Sequence, residues 1–164
     1  MLGMSLSTFT KVHVLISLVG IGSGFTVLLG LFSGKWVNGL TPLFLLTTVL
    51  TSVTGLGLPF THPLPSHKIA IISLVVLAIA ILARYSFHLV GKWRWIYVVT
   101  ALIALYLNLF VLVFQSFEKV PALKAMAPTQ SEPPFLVAEL AVMAIFIVLT
   151  IFAVKKFHPD MGRA

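Results

Sequence analysis

Residues 66–92 read SHKIAIISLVVLAIAILARYSFHLVGK, an apolar run over 69–83 bracketed by His67 and Lys68 on one side and Arg84 and His88 on the other. The pattern predicts a membrane-spanning helix. At about 1.5 Å of rise per residue, His67 and His88 lie roughly 31 Å apart, the thickness of a bilayer's hydrocarbon core. The two histidines are therefore expected at opposite membrane faces, and any site is expected at one face, with partners from other spans.

The rest of the chain has the same character. Of its 164 residues 59% are hydrophobic and 9% charged, and the mean hydropathy is +1.10. That composition excludes an ordinary soluble domain. The formal net charge of +7 is carried between apolar spans, where lysine and arginine orient a chain against anionic headgroups, so no nucleic-acid role is read from it. The absence of cysteine excludes disulfides, iron–sulfur clusters and covalently attached haem.

An all-α integral membrane bundle of five transmembrane helices follows as one domain over 1–164, with spans at about 12–32, 41–60, 68–90, 96–117 and 135–154. The uncharged segment 1–10 does not fit a cleaved signal peptide. Ser66, after the loop 61–65, is placed to cap the third helix. Trp93 and Trp95 beside Lys92 and Arg94 are interfacial chemistry. Pro121, Pro128, Pro133 and Pro134 preclude one unbroken helix across the longest connection, and a short amphipathic turn is expected over 122–126.

With five crossings, Lys11, Lys68, Lys119 and Lys124 fall on one side, and Lys35, Arg84, Lys92, Arg94, Lys155, Lys156 and Arg163 on the other. The positive-inside rule makes the second side cytoplasmic and, in a bacterial inner membrane, the amino terminus periplasmic.

On the outer side His13, His62, His67, Gln115, Glu118 and Glu139 converge in depth. An ionisable group inside an apolar span is a functional hypothesis by default, and this applies most to His13 and Glu139. His62, Lys68, Glu118 and Glu132 read as headgroup-level polar residues. His13, Ser17, Gly20 and Gly24 follow one another at spacings of four, three and four, one face of a helix. That face suits either a flat cofactor or plain small-residue helix packing. Tyr97, Ala101, Ala104, Asn108 and Gln115 form one stripe of span four, expected to face inward. The hydroxyls of Thr47, Thr48, Thr51, Ser52 and Thr54 are able to bond back to their own helix. Arg84 and His88 are expected one turn apart on a shared face.

The strings Leu-Pro-Ser-His at 64–67, Ala-Arg-Tyr at 83–85, Trp-Arg-Trp-Ile-Tyr at 93–97, Leu-Tyr-Leu-Asn at 105–108 and Pro-Thr-Gln-Ser-Glu-Pro-Pro-Phe at 128–135 resemble a family of small bacterial polytopic inner-membrane proteins. The resemblance implies a membrane bundle and brings no activity with it. A fainter likeness, on His13 and His67, is to small b-type haem membrane proteins and haem–copper oxidase accessory proteins.

Three functions are compatible with these residues. One is an accessory or assembly subunit of a membrane complex, whose small-residue faces meet a partner membrane protein or a second copy. Another is a b-type haem protein with His13 and His67 as ligands and Ser17 and Gly20 against the ring. The third is a small transporter or proton path using Glu139, Asn108 and Arg84. Phosphate-binding glycine loops, HExxH and serine elbows do not occur, so the chain is not expected to be an enzyme by itself.

Overall fold

The computed structural model describes residues 5–35, 37–58 and 65–158, with the side chains of Pro65 and Ser66 outside the description. The expectations for His62, for the Ser66 cap and for Arg163 lie outside the described residues. Among the described residues six α-helices follow one another: α1 (Leu6–Phe32), α2 (Leu40–Leu56), α3 (Pro65–Ile81), α4 (Trp93–Lys119), α5 (Pro121–Met126) and α6 (Pro133–Lys156). Among the described residues there is no strand. Four helical stretches, Leu6–Phe32, His67–Ser86, Trp93–Lys119 and Pro133–Lys156, are long and apolar enough to cross a membrane. α2 is equally apolar but has 17 residues, about 25 Å of helix.

α1, α4 and α6 extend past the apolar runs that predict them, whereas α2 ends at Leu56, before Gly57, instead of running to residue 60. α1 starts at Leu6 because the Ser5 hydroxyl accepts the Thr8 N–H at 3.2 Å, satisfying one of the orphan donors of the first turn. Prolines open α5 and α6 at their first positions, where a missing N–H costs nothing. The short turn expected over 122–126 is the helix α5.

The third span is the main correction. Regular α-helix ends at Ile81 and gives way to a π-helical turn, Leu82–Ser86, instead of running to residue 90. His88 and Leu89 then take left-handed backbone angles, φ 47° and 58°. Arg84 and His88 consequently share no helix face. Phe87 stacks on Trp93 at 3.8 Å between ring centroids, folding the chain tightly into α4.

α1, α2, α3, α4 and α6 form a ring of neighbours, and α4 also touches α1 and α2 across it. α1 and α2 are antiparallel, as Phe9 meets Gly57, His13 meets Thr54, and Gly20 faces Thr47 and Thr48. α4 runs against α6, with Arg94 at Phe157, Tyr106 at Phe146 and Phe114 at Phe135. The starts of α1, α3 and α6 therefore gather with the ends of α2 and α4 at one end of the bundle, called here the amino-terminal end.

Packing is closest where glycine removes side chains. A Cβ on Gly24 would stand 2.6 Å from Leu105 Cδ1 and 2.9 Å from Phe44 Cε2. Beside this contact lies the core of Val27, Leu28, Phe44, Leu77, Ala104 and Leu105. The α2 hydroxyls bond to their own helix, Thr48 to Phe44 O at 2.7 Å and Thr51 to Thr47 O at 2.8 Å, so they bury without needing water. Leu136, Val137, Leu140, Ile147 and Val148 are exposed along α6, a surface suited to lipid. Gly24→Ala should destabilise the bundle by about 1–3 kcal/mol. Gly22→Ala, with open space around it, should be neutral or slightly stabilising; unfolding both in mixed micelles checks the contrast.

Candidate functional site

The polar residues of the amino-terminal half come from α1, α2, α3, α4 and α6. Glu139 lies about two turns into α6 and is 7% exposed, yet neither carboxyl oxygen has a hydrogen-bond partner. Tyr106 of α4 is close enough to sense its charge. An ionised carboxylate here would be buried with no donor to solvate it, a state that costs several kcal/mol. A proton on the group removes that charge.

On α4, Asn108 and Gln115 lie two turns apart on one stripe, as expected. Tyr97, Ala101, Ala104 and Asn108 are buried. The Asn108 amide nitrogen and the Gln115 carbonyl oxygen are both enclosed without a partner. Asn108 faces the close approach of α1 and α2, since its Nδ2 would be 3.5 Å from a Cβ on Gly20. The half thus holds a carboxyl, an amide donor and an amide acceptor, all with unused hydrogen-bonding capacity, where most buried polar groups are satisfied.

His13 is half-buried and its Nδ1 lies 2.8 Å from Thr54 Oγ1. The single Thr54 proton is directed at Leu50 O, 2.6 Å away, so Thr54 accepts and His13 Nδ1–H donates. In the neutral ring with this tautomer Nε2 is the unprotonated nitrogen. Sequence reasoning missed Thr54; its only signal was a hydroxyl near the end of span two at the depth of His13. Gly55 also touches this ring, a Cβ there falling 3.4 Å from His13 Cε1.

His67 is half-buried in the first turn of α3, a helix that packs on α2 and α4. Among the described residues no three histidine or carboxylate groups come together as a metal site. Nor does the face below His13 fit a porphyrin. Ser17 turns its hydroxyl back to Val14 O at 2.8 Å, while Gly20 and Gly24 are covered by Thr47, Thr48, Phe44 and Leu105. Small residues there serve helix packing.

Lys68 and Glu118 are exposed. Glu132 organises the turn before α6. Slight desolvation pushes its carboxyl up, but hydrogen bonds from the Thr129 hydroxyl and from the Thr129 and Ser131 N–H groups outweigh this and hold it below the usual carboxylate range. At the opposite end Arg84 lies 5.7 Å from the ring centroid of the buried Tyr97, and His88 is exposed. Arg84 is thus remote from Glu139.

Comparison with known proteins finds no matching family model, no similar curated protein and no similar solved structure. The resemblance in the quoted strings therefore adds no assignment to the geometry.

Removing the His13–Thr54 bond by His13→Ala and Thr54→Val should show a coupling of about 0.6 kcal/mol in a double-mutant cycle of micelle unfolding. The Glu132 carboxylate, lowered in the folded chain, stabilises its turn above the ordinary carboxylate pKa. That contribution is lost as pH falls through the lowered value. The Thr129 amide resonance, followed by NMR during acidification, should report the loss, and Glu132→Gln should abolish the transition.

Proposed function

We propose that the four long helices and the shorter α2 all cross a bacterial inner membrane and that the protein is a small proton path or proton-coupled transporter whose proton-carrying group is Glu139. The observation that carries this reading is the enclosed carboxyl with both oxygens unpartnered. A permanently ionised or merely structural carboxylate would be expected to have acquired donors. A group that exchanges a proton alternates between charge states and needs a setting in which the neutral form is tolerated. His13, with an unprotonated Nε2 at the rim, and Gln115 are suited to relay a proton between the amino-terminal face and Glu139. Asn108 extends the polar line toward mid-bundle; Arg84, at the far end, has no part in this site.

Six basic residues at the opposite end, Lys35, Arg84, Lys92, Arg94, Lys155 and Lys156, outnumber Lys11, Lys68, Lys119 and Lys124, and support a periplasmic amino terminus. The segment 37–57, which contains the short α2, runs alongside α1 over its whole length, which supports a fifth crossing.

An accessory subunit of a membrane complex is the second reading. It is favoured by the long apolar face of α6, of which only Phe135, Glu139, Phe146 and Ala153 are buried. The glycine and threonine faces, by contrast, are occupied within the chain.

Proteoliposomes carrying the parent chain should pass protons down an imposed gradient, and Glu139→Gln should lower that flux at least about tenfold, as expected for loss of an essential acid–base group. Infrared difference spectra should contain a protonated-carboxyl stretch that is absent from Glu139→Gln. Equal flux in parent and variant would remove the proposal, and a stable co-purifying membrane protein would then favour the accessory role.

A further inference from the structure

A second site lies at the other end of the bundle. A small pocket opens between α1, α2, the π-helical turn, α4 and the end of α6, and Lys35, Thr41, Arg84, Tyr97 and Phe157 are among its lining residues. No acidic side chain is among the described residues that line it, while two cationic side chains are. Every carboxylate of the described chain, Glu118, Glu132 and Glu139, is at or toward the amino-terminal end.

The walls are arranged around this charge. Arg84 belongs to the π-helical turn, a feature that redirects a side chain by inserting a residue into the helical repeat and is frequent at functional sites. Its guanidinium lies 5.6 Å from the Tyr85 ring centroid and 5.7 Å from that of Tyr97. Tyr97 is 1% exposed, and its hydroxyl is enclosed beside Thr41 and Arg84. Thr41 directs its own proton to Val37 O at 2.9 Å, so the Tyr97 O–H is the neutral donor among the lining side chains. Arg94 donates to the carbonyls of Val154 and Phe157 at the end of α6. Those carbonyls are thereby kept from repelling an anion beside Phe157.

We propose that this pocket binds a phosphate group at the membrane surface, with Lys35 and Arg84 as its charge partners and Tyr97 as a hydrogen-bond donor. Basic pockets between membrane helices are suited to anionic headgroups. The cavity volume is about 10 Å³, room for one water-sized group, so a phosphate oxygen enters while the remainder of the carrier stays outside. The carrier is either an anionic lipid or a soluble phosphate compound, and the chemistry of recognition is the same for both. The site is independent of Glu139.

Native mass spectrometry of the full chain in detergent, with phosphatidylglycerol against phosphatidylcholine, tests the proposal. Thermal protection by inorganic phosphate against chloride at equal ionic strength forms the second arm. Preference for the anionic lipid should fall roughly tenfold in Lys35→Gln and about threefold to tenfold in Tyr97→Phe, the range expected for losing one charge-assisted or neutral hydrogen bond. Tyr97→Phe keeps the packed ring, and Lys124→Gln at the far end should change nothing. Protection by phosphate together with displacement of the lipid identifies a soluble carrier; lipid preference without phosphate protection identifies the headgroup. The proposal fails if neither the lipid nor phosphate binds better than its control. It fails equally if Lys35→Gln and Tyr97→Phe both retain the parent's preference, or if Lys124→Gln loses as much as they do.

Discussion

The close antiparallel contact of α1 and α2 along Gly20 and Gly24 sets the positions of everything else. Because these residues present no side chain, Thr47, Thr48 and Phe44 of α2 approach the α1 backbone, and Leu105 of α4 enters the same groove. In lipid there is little hydrophobic force between helices, so van der Waals contact at small residues supplies association. α4 is thereby held against α1 and α2 as well as α3 and α6, and its stripe from Tyr97 to Asn108 is buried.

Two polar regions result at opposite ends of that stripe. Toward the amino-terminal end, Asn108, Gln115 and Glu139 are enclosed with unused hydrogen-bonding groups, while His13 and Thr54 tie α1 to the end of α2. At the other end, Tyr97 is covered by Arg84 and Arg94 closes the end of α6. The carboxylates of the described chain collect toward the first region and the greater part of the lysine and arginine at the second. A dipolar distribution of this kind is one that orients a helical bundle in a membrane.

The haem reading illustrates how one spacing supports two physical outcomes. His13, Ser17, Gly20 and Gly24 do share much of one α1 surface, but a small-residue face is complementary to any flat or closely approaching body. The nearest such body here is α2, whose Thr47 and Thr48 bond their hydroxyls inward and so present compact, satisfied surfaces. Similarly, the hydroxyl-rich second span needs no water-filled path to account for its composition.

By itself the sequence determined that the chain is helical and suited to a membrane, where the apolar helices lie, and that Tyr97, Ala101, Ala104 and Asn108 face inward, because hydrophobic length and 3.6-residue periodicity are local properties. It also marked His13 and Glu139, since an ionisable group within an apolar run stands out without any knowledge of its neighbours. The tertiary structure alone decided that Thr54 is the partner of His13, that Gly20 and Gly24 are covered by α2 and α4, and that Arg84 joins Tyr97 instead of His88. Those outcomes depend on interhelical register and on a π-helical turn after Ile81. Both are fixed by side-chain packing between segments distant in sequence, which leaves no periodic trace within either segment.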